Sequence, residues 1–375
     1  MDTLRRSRAA TLAAGAFLAI SVAGVSAAAS PVASLMPEVV NQGAPAFVVG
    51  TLDSGGYWQG AVGVANIKSG APASPDAAFR IGSITKMFTS VAILQLVDQG
   101  KIGLDTPVST YLPGLLARGD DITIRMLLQH RSGLASTLYG IGRGNTWYPA
   151  INDACRNGMD AVAAIKAADL QWYEPGTTFN YANAGYTTLG LVIEKVTGRP
   201  YADVIHDQIV APLGLTATTF QEGAPAWPAP YLRGYSDGQP GRNLHRNYQD
   251  ETDCTTSQWG AAGSGISNVH DLTMFMHALT HGQLLPDALY QQMIDAVPVA
   301  GSPTAGYGLG IIRQHDVCHG VDLIGHDGAV FGYQSLLLST LDGTRTFAAG
   351  VTLSPGTDAM WEAVRATDRA ELCAS

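Results

Sequence analysis

Three short stretches of this sequence carry side chains whose types and spacing suit acyl transfer. The first is Ser83-Ile84-Thr85-Lys86, preceded by Phe79-Arg80-Ile81-Gly82. If Ser83 opens a helix, Lys86 lies three residues on, over the same face, and its amine comes near the serine hydroxyl. A serine is a poor nucleophile until a base takes its proton. A lysine serves as that base only where burial or neighbouring positive charge lowers its pKa. The helix N-terminus adds partial positive charge beside Ser83, which suits a developing oxyanion. Chance is the plain alternative for a Ser-x-x-Lys pattern; a strand pair before it and an apolar helix after it give this one weight.

The second stretch is Tyr181-Ala182-Asn183, between Pro175-Gly176-Thr177-Thr178-Phe179-Asn180 and Ala184-Gly185-Tyr186. On an extended loop, a tyrosine and an asparagine two apart point the same way. The phenol can relay a proton to a leaving group, and the amide can hold a substrate carbonyl. Alone, the stretch also reads as an ordinary loop with an aromatic plug. The third is Gly325-His326-Asp327-Gly328-Ala329, on an apparent strand. Gly328 permits close backbone approach by a ligand. The N–H of Ala329 can complete an oxyanion hole with that of Ser83. Alone, this stretch reads as a strand-edge histidine with no role. His326 and Asp327 are adjacent and point to opposite faces of a strand, so Asp327 does not orient His326 as a Ser-His-Asp triad requires. No G-x-S-x-G surrounds Ser83, which argues against an α/β-hydrolase elbow. There is no H-E-x-x-H and no cysteine pair at zinc spacing, so neither a metal nor another cofactor is expected.

These residues need a scaffold. The 375 residues are 46% hydrophobic and 14% charged, a globular composition that fits two domains or one large one. The net charge is -9, with no basic run beyond the N-terminus, so nucleic acid is not an expected partner. Residues 1–29 read as a signal peptide: Arg5, Arg6 and Arg8, an apolar stretch from Ala9 to about Val25, then Ser26, Ala27, Ala28 and Ala29 as a cleavage site. A retained membrane anchor is the alternative, and the small residues favour cleavage. No second segment is long enough to span a bilayer, so an exported chain without a stable anchor is expected. Four cysteines can then pair in three ways; Cys318–Cys373 with Cys155–Cys254 is preferred.

Pro45–Asp53 and Tyr57–Asn66 look like paired strands around Ser54-Gly55-Gly56. Thr85–Leu96 has the length and apolar content of a helix, with Gly100 as its stop. Ile122–Gln129 reads as a helix closed by glycine after His130-Arg131-Ser132. Tyr186–Val196 and Asp271–Leu279 read as two more helices. Gly306–Ile312, Gly332–Ser339 and Thr346–Leu353 read as successive strands, and Trp361–Leu372 as a final helix. The expectation is an α/β part from both ends of the chain, about 30–95 and 255–375, with a mostly helical part of about 96–254 inserted.

In this order, S-x-x-K, Y-x-N and H-x-G resemble the serine β-lactamase and penicillin-binding protein superfamily. Within it the likeness is to the secreted D-alanyl-D-alanine carboxypeptidases of actinomycetes (peptidase family S12) and their class C β-lactamase relatives. It runs through FRIGSITK (79–86), TIRMLLQHRSGL (123–134), EPGTTFNYANAGYTTLGLVIEKVTG (174–198), GYGLG (306–310) and GHDG (325–328). The resemblance implies an antiparallel sheet flanked by helices, an all-helical part beside it and a site between them. It implies that Ser83 is acylated with Lys86 as its base partner, that Tyr181 shuttles protons and that Asn183 binds the substrate amide. His326 stands where relatives use lysine or histidine. Trp259 resembles an aromatic wall, and the family's C-terminal disulfide matches Cys318 with Cys373. The implied partners are D-alanyl peptides, peptidoglycan stem peptides or β-lactams.

Two departures bear on substrate. The carboxypeptidase strand reads H-T-G-T, where this chain has His326-Asp327-Gly328-Ala329. Its carboxylate-gripping arginine falls, ungapped from GYGLG, at Ile312, with Arg313 one residue on and in reach only if the strand slips. Asp327 would repel a C-terminal carboxylate and attract an amine. The first reading is therefore a D-alanyl-D-alanine carboxypeptidase-like serine hydrolase. A D-aminopeptidase, esterase or β-lactamase on the same machinery is the second, and a catalytically silent binder of peptidoglycan or penicillin the third.

Overall fold

The computed structural model describes residues 30–135, 160–236 except 222 and 224, and 248–374 except 300 and 319. The expected leader (1–29) and the Cys155 end of the Cys155–Cys254 pairing lie outside the described residues.

The first helix, α1 (Met36–Asn41), leads into a hairpin of β1 (Ala46–Asp53) and β2 (Gly56–Asn66), with Gly56 at φ 109° in the turn. Two short strands, β3 (Ala71–Pro72) and β4 (Phe79–Arg80), bring the chain to a 3-10 turn, Gly82–Ile84, which feeds α2 (Thr85–Asp98). Every residue of α2 from Thr85 to Leu94 is buried. The helix thus has no solvent face and runs through the core, which is how a lysine in its first turn is taken out of water.

Next come α3 (Ile124–Leu128), α4 (Ala161–Ala168), α5 (Asn183–Thr197) and α6 (Tyr201–Ile205), the last running on through a π turn at His206–Val210. Two sequence expectations are corrected here. The helix expected over 122–129 is shorter, and His130 at φ 54°, not a glycine, turns the chain after it. The helix expected from Tyr186 begins at Asn183, so Asn183 lies in the first turn of α5 and not on an extended loop with Tyr181.

The short strands β5 (Thr219–Phe220), β6 (Tyr235–Ser236), β7 (Gln249–Asp250) and β8 (Gly265–Ser267) lead to helices α7 (Val269–Thr280) and α8 (Asp287–Ile294). The strands β9 (Val297–Pro298), β10 (Ala305–Tyr307), β11 (Ile312–Gln314), β12 (Leu323–Val330), β13 (Tyr333–Thr340) and β14 (Thr346–Val351) precede the last helix, α9 (Asp358–Leu372). The run Gly306–Ile312 is a hairpin, not one strand: Gly310 takes φ 82°, and a Cβ there would collide with Ser90 Oγ on α2.

Among the described residues one antiparallel sheet has the order β3-β2-β1-β14-β13-β12-β11-β10-β9. Its centre is buried on both faces. Val48 and Ala348 face the large core with α2 and α7, whereas Phe47, Val49 and Phe347 face α1 and α9 through Met36, Met360 and Val364. The result is a mixed α/β fold in which helices cover both sides of a large antiparallel sheet. Cys318 and Cys373 are disulfide-bonded with Cα atoms 5.2 Å apart, tying the loop after β11 to the end of α9.

Gly328 was expected to admit a ligand, and the structure gives it a different task. It is buried in β12, where a Cβ would collide with the Ile81 carbonyl oxygen and Ser335 Oγ. That carbonyl accepts the Ser335 hydroxyl at 2.8 Å. The close approach is therefore from the chain's own segment just before Ser83. Gly328→Ala should destabilise the fold by about 1–3 kcal/mol, read by urea unfolding, because the contact is backbone against strand and cannot relax through a rotamer.

Candidate active site

Ser83 sits in the 3-10 turn ahead of α2, after Gly82 at φ 48°. A Cβ on Gly82 would lie 2.8 Å from the Ala329 nitrogen, so the nucleophile turn packs backbone-to-backbone against β12. Lys86 is fully buried behind it. Its Nζ donates to Asn183 Oδ1 at 2.8 Å and to the Ala262 carbonyl at 2.7 Å, and stands 2.9 Å from Ser83 Oγ. Burial pushes the amine well below the ordinary lysine range, with Asp327 pulling weakly the other way. An uncharged amine has two N–H bonds and one lone pair. The amide and peptide oxygens can only accept, so they take both N–H bonds and leave the lone pair facing the Ser83 hydroxyl. This is the arrangement a general base needs.

The phenol of Tyr181 is hydrogen-bonded to Ser83 and half-buried at the wall of the cleft, and desolvation pushes it well above the ordinary tyrosine range. It therefore keeps its proton and donates to Ser83 Oγ, while the serine donates to Lys86. Lys86 Nζ lies 4.8 Å from the centre of the Tyr181 ring. With Oδ1 of Asn183 committed to Lys86, the amide N–H2 of that residue remains to meet a carbonyl in the cleft it lines.

Sequence reading gave His130 only a place at a helix end. Its ring centroid lies 4.0 Å from that of Tyr181, and its Nδ1 accepts the Ala182 N–H at 3.1 Å. It was findable only as part of the matched run TIRMLLQHRSGL. Tyr307, in the GYGLG run, was likewise unremarked, and its hydroxyl lies 2.9 Å from His326 Nε2.

His326 is buried, and desolvation pushes it down to about 4, so the ring is neutral at physiological pH. Its Nδ1 lies 2.5 Å from the Asp327 carbonyl oxygen, which can only accept. The single N–H is therefore on Nδ1, and Nε2 accepts from Tyr307. Both nitrogens are engaged, which leaves His326 no free site for the Ser83 proton. Asp327 points out of the strand with its side chain 62% exposed. Strand β11 pairs with β12 only from Gln314↔Leu323 to Ile312↔Gly325. Beyond that, from His326 to Ala329, this edge of β12 has no neighbouring strand among the described residues and opens on the cleft.

The cleft has a volume of about 430 Å³, and its walls include Ser83, Tyr181, Asn183, Trp259, Asp327 and Ala329. Trp259 lines the cleft and packs on Phe331 with ring centroids 4.9 Å apart. Arg313 does not enter. Ile312 and Gln314 line the cleft, the residue between them points to the other face, and the guanidinium of Arg313 donates to Asp322 at 2.9 and 3.2 Å. The register of β11 thus removes Arg313 from the substrate-binding residues, as packing against Ile81 removes Gly328.

Comparison with known proteins agrees with this geometry. The family model described as Beta-lactamase matches residues 28–364. Penicillin-binding protein 4* of Bacillus subtilis (strain 168) is 28% identical over 292 residues, 76% of this chain and 62% of its own length. Penicillin-binding protein 4 of Amycolatopsis lactamdurans is 34% identical over 161 residues, 41% of this chain and 39% of its own. The chain thus spans less than two thirds of these two relatives. The solved D-stereospecific amidohydrolase from Streptomyces sp. superposes with a TM-score of 0.81 at 31% identity, covering 92% of this chain and 98% of that one. The D-amino acid amidase from Ochrobactrum anthropi SV3, solved with L-phenylalanine amide, gives 0.72 at 25% identity, over 90% and 98%.

Ser83→Ala should abolish covalent labelling by a fluorescent penicillin while leaving the circular dichroism spectrum intact; residual labelling would exclude Ser83 as nucleophile. Lys86→Arg keeps a charge that cannot be lost and should slow labelling about 10²–10⁴-fold. In the native chain labelling should accelerate as pH rises and Lys86 sheds its proton. No decline should follow below about pH 10, the ordinary phenol value, because Tyr181 is held above it.

Proposed function

The chain belongs to the β-lactamase family and is a serine hydrolase; we propose that it cleaves amides of D-amino acids, or short peptides beginning with one, whose α-amine is free. One observation carries this reading. Among the described residues lining the cleft, Asp327 supplies the only charge: no lysine or arginine lines it, and His326 is neutral. A carboxypeptidase must hold a terminal carboxylate, and the guanidinium that was a candidate for this is bound to Asp322 on the other face of β11. At about 4 Å, a carboxylate–ammonium attraction is worth about 1 kcal/mol in water and up to about 4 where water is partly excluded, and a second carboxylate is repelled by as much. The similarity to the D-stereospecific amidohydrolase and the D-amino acid amidase supports both the amide bond and the D configuration. The basic, apolar and small-residue order of residues 1–29 supports export.

In this mechanism Ser83 Oγ attacks the amide carbon while its proton passes to Lys86 Nζ. The tetrahedral oxyanion is met by the backbone N–H groups of Ser83 and Ala329. As the C–N bond breaks, the leaving nitrogen takes the phenol proton of Tyr181, which the proton held on Lys86 replaces, and departs as ammonia or an amine. Water then attacks the acyl-serine ester, giving the proton it loses to Lys86 and restoring the hydroxyl. Asn183 holds an acyl-side carbonyl where the substrate has one, and Asp327 holds the ammonium.

The test is a turnover panel of D-alaninamide, N-acetyl-D-alaninamide and N-acetyl-D-alanyl-D-alanine. Native protein should prefer the first, and Asp327→Asn should lower its kcat/KM about 10–100-fold while leaving the second substrate within about threefold, as loss of one desolvated charge pair implies. Preference for the substrate with the free carboxylate, or equal loss on both amides, would overturn the proposal.

A further inference from the structure

We propose that His130 is a positioning residue, which sets Tyr181 and Asn183 in register with Ser83 and Lys86 by capturing the backbone on both sides of the tyrosine. The Asn180 N–H donates to the His130 carbonyl oxygen at 2.7 Å, and the Ala182 N–H donates to His130 Nδ1 at 3.1 Å. One residue thus accepts the N–H groups before and after Tyr181. Its own ring lies against the phenol, 4.0 Å between centroids and 34° between planes. The tyrosine is fixed at three points by a single side chain and its backbone.

The backbone of His130 makes this possible. With φ at 54°, it is one of two non-glycine residues with positive φ among those described. The left-handed turn brings carbonyl and imidazole to the same extended segment, 180–182. A non-glycine residue held in this region is disfavoured locally and persists where the surroundings fix it, often at functional sites.

The ring chemistry is equally specific. Nδ1 accepts, so the proton is on Nε2, and Nε2 is buried without a hydrogen-bond partner. The imidazole is therefore a neutral acceptor and not a proton carrier for Ser83. Burial opposes its protonation, and a proton on Nδ1 would break the bond to Ala182. What His130 transmits is geometry. Asn183 follows Ala182 directly, and its Oδ1 takes one of the two N–H bonds that orient the Lys86 lone pair.

Two substitutions separate the acceptor from the ring. His130→Asn places an amide oxygen where Nδ1 lies and tolerates positive φ, but removes the stacked ring. His130→Phe keeps the ring and removes the acceptor, with His130→Leu as the smaller replacement should the phenylalanine chain not fold. The acylation rate constant is read with labelled penicillin, kcat and KM with an amide or ester substrate, and melting temperature alongside. Loss of the acceptor should slow acylation at least tenfold, fall on kcat with KM within about twofold, and be rescued in the asparagine chain to within about threefold. The proposal does not depend on the Asp327 reading, because penicillin acylation does not require a free amine. Equal loss in the asparagine and acceptor-free chains, an effect on KM alone, or wild-type acylation without the acceptor would overturn it.

Discussion

A buried amine, hydrogen-bonded to a serine hydroxyl and pushed by burial toward its uncharged form, is the constraint around which this molecule is built. Taking a lysine out of water is unfavourable, and what makes it tolerable is loss of its proton. Once neutral, the amine has a direction. Asn183 Oδ1 and the Ala262 carbonyl receive its two N–H bonds, and the remaining lone pair is aimed at Ser83. Either oxygen alone would leave the amine free to rotate about its Cε–Nζ bond. Two pure acceptors at 2.7 and 2.8 Å fix it.

The scaffold follows from that requirement. A lysine in the first turn of a helix is dry only if that part of the helix is buried, and α2 packs against α5, α6 and the turn Gly260–Ala262, with Phe88 stacked on Phe275 of α7. The serine must nonetheless reach the cleft. A 3-10 turn ending against β12 places Ser83 at the boundary, and two glycines, Gly82 and Gly328, let the two backbones touch. The N–H of Ala329 comes beside the serine through the same contact. Ser83, Lys86 and the Ala329 N–H are thus brought together where one helix meets one strand.

The sequence made the fold and the reacting groups readable to different depths. Long apolar runs with turn residues between them marked β1, β2, β13, β14 and the helices α2, α5, α7 and α9, because their patterns are set locally, and all but the half-buried β2 carry buried faces. The groups at Ser83, Lys86 and Tyr181 were readable from type and spacing. What was not readable depends on pairing and on backbone conformation. Whether Arg313 faces the cleft is decided by the register of β11 on β12, which no spacing reports. Gly328 looked like a place for a ligand because a missing Cβ says that something approaches, not what approaches. His130 was passed over because left-handed turns are sought at glycine, and a histidine in that conformation has no sequence signature.

Acylating machinery and substrate choice are separable here for an electrostatic reason. Burial pushes Lys86, His130 and His326 down and Tyr181 up, each toward its neutral form. A single exposed carboxylate at the open edge of β12 then sets the sign of the whole cleft. Replacing threonine by aspartate at this position, relative to the carboxypeptidase strand pattern, changes neither the strand nor the hydrogen bonds behind it, because the side chain points to solvent. Under the proposed reading, substrate class is set at a position that contributes nothing to the core.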